Sequence, residues 1–210
     1  TISSSVVVEK KMNMYDDNKT YSYMKEILDS ANHLSDTIDD FRDFFKPKKE
    51  IVYIESDTVV EKSINLTKAQ FYNRNIKVIK NLTNCELKLY DNQLLHVFLN
   101  ILNNAKDELL KIKDERERLL FISSEVSTNS ITFLIYDSAG GVKDEVKNNI
   151  FEPYFTTKEK DNGTGIGLYM SKMIVEDRLN GVLSVSNKSF EYEGKSYKGA
   201  CFKIKIPKSL

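Results

Sequence analysis

Apolar residues recur from Met24 to Phe45 at Ile27, Ala31, Leu34, Ile38, Phe41 and Phe45, in alternating steps of four and three. That heptad rhythm predicts a helix packed lengthwise against another helix. Asp29, Asp36, Asp39, Asp40, Arg42 and Asp43 lie mostly off the stripe. Upstream, Val6, Val7, Val8, Met12 and Met14 predict the end of a partner helix, with Asp16-Asp17-Asn18-Lys19 as the connecting turn of a helical hairpin. Pro47 lacks an amide donor and restricts its predecessor, so the helix ends there and Lys46-Pro47-Lys48-Lys49 is a linker.

From Ile51 to Pro207 the pattern becomes mixed α/β. A helix is expected over Thr58–Phe71, with Val59, Val60, Ile64 and Ala69 inward. Ile76–Ile79 and Glu86–Tyr90 alternate like strands. The longest helix is expected over Asn92–Lys111, carrying Leu94, Leu95, Phe98, Leu99, Leu102 and Leu109. Phe121–Val126 and Ile131–Tyr136 predict a hairpin turning at Asn129-Ser130. A charged stretch leads to Gly163-Thr164-Gly165-Ile166-Gly167 and a helix to Leu179, capped by Gly181. Val182–Ser186 and Cys201–Ile206 predict two antiparallel strands joined by a polar loop through Gly194. The expected division is a helical module over residues 1–48 and an α/β domain over residues 49–210.

Composition narrows the function. The 210 residues are 40% apolar and 30% charged, which suits a chain with a true core. Lys+Arg and Asp+Glu both number 31, so no excess positive charge exists to hold nucleic acid. Cys85 and Cys201 are the only cysteines, and His33 and His96 the only histidines, which excludes a zinc knuckle or a His-rich metal site. No apolar run approaches the roughly 18 residues of a membrane helix, so no membrane contact is expected of this segment. The chain starts at Thr1 without a leader pattern. The expectation is a cytoplasmic piece of a longer protein, whose membrane anchor, if it has one, would lie upstream.

Three segments carry candidate chemistry. In Asn100-Ile101-Leu102-Asn103-Asn104-Ala105, Asn100 and Asn104 share a helix face one turn apart. Side-chain carbonyl oxygens suit Mg²⁺, a hard cation that also binds substrate phosphates; the plain alternative is a solvated polar patch. In Ile131–Gly141, an apolar strand ends in Asp137 and then small residues. A carboxylate there can accept a hydrogen bond from an exocyclic amine such as adenine N6, and small neighbours let a flat base approach the backbone; the alternative is an ordinary strand exit. In Gly163–Leu168, a glycine-rich loop opens a helix and offers amides to phosphate. It is neither a P-loop nor a dinucleotide fingerprint, because no Lys-Ser/Thr pair follows and no βαβ unit surrounds it.

Taken in this order, the segments resemble the catalytic domain of sensor histidine kinases, within the wider ATPase family of the Hsp90 chaperones, DNA gyrase B and MutL. Asn100–Asn104 resembles the N box, Asp137-Ser138-Ala139-Gly140-Gly141 the first glycine box, and Gly163–Gly167 the second. Phe151-Glu152-Pro153-Tyr154-Phe155-Thr156-Thr157-Lys158 is similar to the F box and its following Thr-Thr-Lys. The resemblance implies a two-layer α/β sandwich, a mixed sheet covered by helices (the Bergerat-type ATP-binding fold), preceded by an α-helical hairpin. It implies ATP and Mg²⁺ as cofactors, with Asn104 the chief protein ligand of the metal and Asn100 at the phosphates. Asp137 would hold adenine N6, Gly141 would permit approach of the base, and Lys158 would reach the terminal phosphates from a compact lid. Gly163, Thr164, Gly165, Gly167 and Leu168 would shape the end of that lid against the phosphate chain. Ala139 departs from the family's usual glycine; its methyl group costs little where φ is negative, at the expense of a narrower pocket. Asp107, three residues after Asn104, has no assigned role.

The resemblance further implies transfer of the γ-phosphate to a histidine of a dimerisation hairpin, relay to a response regulator, and a homodimer in the intact protein. The segment Thr37–Pro47 resembles the end of the second dimerisation helix. Residues 1 to 23 contain no His, and His33 falls on that second helix, so the expectation is a segment that lacks its phosphate acceptor. Two alternatives stay open at this level: another ATPase or serine kinase of the same superfamily, and a degenerate nucleotide-binding dimerisation module.

Overall fold

The computed structural model describes Met24 and residues 51–90, 92–112, 117–158 and 164–209. Apart from Met24, the helical hairpin expected over residues 1–48 lies outside this set, as does Gly163.

Chain order runs β1 (Ile51–Glu55), α1 (Ser56–Asn73), β2 (Ile76–Asn81), β3 (Glu86–Tyr90), α2 (Gln93–Leu109), β4 (Arg118–Val126), β5 (Ser130–Asp137), α3 (Asp144–Lys147), α4 (Gly167–Met173), β6 (Val182–Tyr192) and β7 (Lys195–Pro207). After α4 the chain continues in a π-helical turn, Ile174–Arg178. Five strands form one mixed sheet in the order β2-β4-β5-β7-β6. Only β2 and β4 run parallel; the other neighbours are antiparallel. β1 and β3 form a separate antiparallel pair. The mixed sheet with its helices is the two-layer α/β sandwich that the sequence led us to expect.

The core is built by period. On β5, Ile131, Phe133, Ile135 and Asp137 alternate inward, and the last is the only charged member. Beside them stand Leu120 and Ile122 of β4 and Phe202, Ile204 and Ile206 of β7. α2 lays Leu94, Phe98, Ile101, Leu102, Ala105 and Leu109 on that surface. Phe98 meets Phe133 edge-on, with ring centroids 5.1 Å apart at 86°, an arrangement aromatic pairs favour. This contact fixes the height of α2 over the central strand, and with it the height of the polar stripe along the helix's other side.

Several elements differ from the expectation. β1 had no predicted counterpart: its alternation is half-exposed and too short to separate from a linker. In α1 the inward face is Val59, Val60, Ser63, Thr67 and Phe71, while Ala69 is exposed. Ser63 and Thr67 are buried because their hydroxyls donate to carbonyls a turn back, Ser63 to Val60 and Thr67 to Ser63. Gly181 does not supply the left-handed cap; Asn180 does, at φ 48. Gly181 instead passes so close to β7 that a Cβ would lie 2.4 Å from the Lys205 carbonyl oxygen.

The largest difference is the polar loop through Gly194, which is strand. β6 and β7 pair without a break from Val182↔Lys205 to Tyr192↔Lys195. Glu193 and Gly194 turn the chain with φ of 50 and 75, the paired positive φ values of a tight hairpin turn. β5 accompanies β7 only as far as Tyr136↔Cys201. Beyond that point the hairpin continues as a two-stranded arm with no third strand, bent back over the outer face of the sheet. Phe190 packs 5.0 Å from Phe121 and 5.1 Å from Tyr136, and at the tip Glu193 pairs with Lys77 of β2 at 3.1 Å.

Candidate nucleotide site

α2 carries Asn100, Asn104 and Asp107 at steps of four and three, so all three face one way. Asn100 Nδ2 donates to the Gly167 carbonyl and to Ser171 Oγ, both at 3.3 Å. Ser171 Oγ donates in turn to the Gly167 carbonyl at 2.9 Å. The amide nitrogen of Asn100 is thus committed to tying the start of α4 to α2. A Cβ on Gly167 would lie 3.6 Å from Asn100 Oδ1.

One turn on, Asn104 Oδ1 accepts from Lys158 Nζ at 3.4 Å, and Asp107 Oδ2 pairs with the same ammonium at 2.6 Å. Two side-chain oxygens therefore converge on a single positive charge. Asp107, which had no assigned role, is the stronger of the two partners. Lys106 approaches its other oxygen at 3.7 Å. Among the described residues no group of three His, Cys, Asp or Glu side chains could hold a metal ion. A hard-oxygen pair of this kind fits Mg²⁺ that brings phosphate oxygens and water as its remaining ligands.

Asp137 ends β5 and is 2% exposed. Its Oδ1 accepts from the Ala139 amide at 2.8 Å and the Ala200 amide at 3.3 Å. Both bonds go to the same oxygen, which leaves the acceptor capacity of Oδ2 for a ligand. Burial pushes its pKa up from 3.8 to about 6; the two amides oppose the rise and the Glu108 carboxylate adds to it. Ala139 does not have a left-handed backbone, so its methyl group is accommodated. Gly140 and Gly141 do, at φ 97 and 92.

The stretches Ile150–Phe155 and Thr164–Leu168 are tied to the core and to each other. Ile150 is buried and Phe155 packs on the core, while Tyr154 is exposed with φ 65. The Tyr154 amide donates to the Gly165 carbonyl at 3.1 Å. A Cβ on Gly165 would strike the Tyr154 carbonyl carbon at 2.4 Å, so this glycine is what lets the chain before α4 meet Tyr154-Phe155. Thr164 Oγ1 accepts from the Ile166 amide at 3.4 Å, and Leu168 is half-buried against the core.

Of the residues singled out from sequence, the structure joins Asn104 to Lys158 and Asn100 to Gly167, and it puts Gly165 on the turn at Tyr154-Phe155. Two functional positions went unnoticed. A Cβ on Gly199 would lie 1.6 Å from the Asp137 carbonyl oxygen, and Ala200 donates to its carboxylate. Both sit on β7, more than sixty positions from Asp137, and no local pattern marks them.

This fold and these groups define a nucleotide-binding catalytic domain. The model of the histidine kinase-, DNA gyrase B- and HSP90-like ATPase family matches residues 90–210, more than half the chain. The chain belongs to that family and is a catalytic domain of its histidine kinase branch. The two-component sensor PprA of Pseudomonas aeruginosa is 32% identical over 118 residues, covering 55% of this chain and 12% of that protein. Sporulation kinase A of Bacillus subtilis is 34% identical over 117 residues, 56% of this chain and 17% of that protein. The chain thus spans less than a fifth of the length of either relative. The catalytic domain of histidine kinase ThkA has the same fold, with a TM-score of 0.61 at 24% identity over 76% of this chain and 97% of that one. ThkA in complex with response regulator protein TrrA aligns with a TM-score of 0.68 at 21% identity, covering all of this chain and 57% of that one.

Proposed function

We propose that this domain binds Mg²⁺-ATP and, within a longer protein, delivers its γ-phosphate to a histidine of a dimerisation hairpin for relay to a response regulator. The observation that carries the reading is the convergence of Asn104 Oδ1 and Asp107 Oδ2 on the Lys158 ammonium, beside a helix whose first turn is tied to Asn100. Adenine would lie against the loop after β5, with N6 donating to Asp137 Oδ2. Asn104 would hold the metal, Lys158 would swing from Asp107 to the terminal phosphates, and Thr164–Leu168 would offer backbone amides. Bound Mg²⁺ would supply charge neutralisation along the phosphate chain.

In the transfer, the bond from the γ-phosphorus to its bridging oxygen breaks and a bond to an imidazole nitrogen forms, with ADP as leaving group. The residues named here position and neutralise; no general base is assigned among them. The response-regulator step is supported by the shared fold with ThkA, which was solved with such a partner.

The test is calorimetry of Mg²⁺-ATP binding with and without EDTA, on wild type and Asn104→Ala. One equivalent per chain is expected for wild type. Loss of the oxygen ligand should weaken binding at least tenfold with Mg²⁺ present, roughly the worth of one charge-assisted contact, and change it little in EDTA. Equal affinities in Mg²⁺ would remove Asn104 from the metal site.

A further inference from the structure

The loop from Ser138 to Val142 leaves the sheet with two consecutive left-handed glycines, Gly140 and Gly141. Such a pair has little conformational preference of its own, so its shape depends on what grips it. The grip comes from the β6–β7 arm. Asn187 Oδ1 accepts from the Val142 amide at 2.8 Å, and Asn187 Nδ2 donates to the Val142 carbonyl at 2.8 Å. One planar carboxamide thereby satisfies both backbone groups of a residue that has no strand partner. The Gly140 amide donates to the Lys198 carbonyl at 2.8 Å on the opposite strand of the arm. A Cβ on Gly141 would lie 2.5 Å from Asn187 Oδ1, so the glycine is what admits the carboxamide. At the near end of the loop, the Ala200 amide holds the Asp137 carboxylate and Gly199 lies against the Asp137 backbone.

We infer that Asn187 is a positioning residue for recognition of the base. It clamps Val142 to the arm, so the loop after Asp137 is set in shape before a nucleotide arrives. This rests on the nucleotide reading above. Asn187 acts through the loop, and preorganisation of that kind raises affinity by removing the ordering cost from the binding step. The phosphate half of the site, on α2 and α4, is held by other contacts and should not feel the clamp.

The test compares wild type, Asn187→Ala and Asn187→Asp by calorimetry with two probes, Mg²⁺-ADP and Mg²⁺-tripolyphosphate, and by amide hydrogen exchange. Asn187→Ala should bind ADP about tenfold more weakly, bind tripolyphosphate within about twofold of wild type, and exchange faster at Val142 and Gly140 but not along β5. Asn187→Asp keeps the acceptor for the Val142 amide and loses the donor, so it should fall between, and it carries the test if the alanine variant does not fold. Unchanged ADP binding in both variants would overturn the inference. Equal losses for ADP and tripolyphosphate would do the same, because a general weakening of the fold has no reason to spare phosphate. Failure of the wild type to bind either probe would instead defeat the nucleotide reading and this one with it.

Discussion

Asp137 is a carboxylate in a place that favours its neutral form. Burial raises its pKa from 3.8 to about 6. Between those values the folded chain binds more protons than the unfolded chain, so stability falls as pH rises from about 4 to about 6 and stays lower above. A shift of about two units corresponds to roughly 3 kcal/mol. Asp137→Asn should therefore be more stable than wild type at neutral pH by about 2 kcal/mol, with the advantage gone near pH 4; urea melts across that range measure it. The same substitution should abolish preference for adenine. If Oδ1 of the new amide keeps its two backbone donors, Nδ2 then faces the N6 amine, donor against donor. ADP and GDP competition reads the loss. A variant that is no more stable at neutral pH would mean that the charge is better compensated than its burial implies.

At the scale of elements, the site depends on how β7 leaves β5. The strand pairs with β5 up to Tyr136↔Cys201 and then bends into the arm. The bend brings the backbone of Gly199 against the backbone of Asp137, closer than any side chain permits. Gly199→Ala should move the end of β5 as well as the arm. Overpacking of a tight backbone contact typically costs about 1–3 kcal/mol, and nucleotide affinity should fall together with stability. Thermal unfolding and ADP calorimetry on one sample would check both. A stable variant with normal affinity would show that the two strands can separate without disturbing the carboxylate. The aromatic cluster of Phe121, Tyr136, Phe190, Tyr192 and Tyr197 is the counterweight to this bend. Phe121 and Tyr136 stack at 4.9 Å on the outer face and Phe190 closes over them, which covers apolar surface that the helical layer does not reach.

At the scale of the whole domain, the proposed ligand would touch elements of both the sheet and the helical layer. The base would rest on β5 and the arm, and the phosphates on α2 and α4. A ligand that bridges them binds only the folded chain, so it adds stability by mass action, about 2.7 kcal/mol at a hundred times its dissociation constant. For a domain of this size that raises the melting temperature by roughly 5–10 °C. Mg²⁺-ADP should give that shift by calorimetric scanning, and EDTA should remove most of it. A shift unaffected by EDTA would count against the metal role of Asn104. Among the described residues no helix is long and apolar enough to cross a membrane.

The sequence determined the elements whose pattern is strong and local. The period of α2, the alternation of β4 and β5 around Asn129-Ser130, and the glycine-rich opening of α4 were all legible, because each is set by neighbours within a few residues. It also marked Asn100, Asn104 and Asp137 as candidate chemistry, since polar groups inside apolar patterns stand out; Lys158 was marked only by the family resemblance. The polar strands of the arm did not stand out: Asn187 to Tyr192 alternate without a consistent apolar face, and only the packing of Phe190 on Phe121 and Tyr136 makes them strand. Ala69 looked inward by residue type, yet Ser63 and Thr67 take the buried face because their hydroxyls find backbone partners there. Tertiary structure alone decided that Asp107 holds Lys158, that Gly199 meets Asp137, and that Asn187 grips Val142. Those contacts join residues 45 to 62 positions apart. No local energy term links such residues in the unfolded chain; they meet only where the sheet order and the bend of β7 carry them.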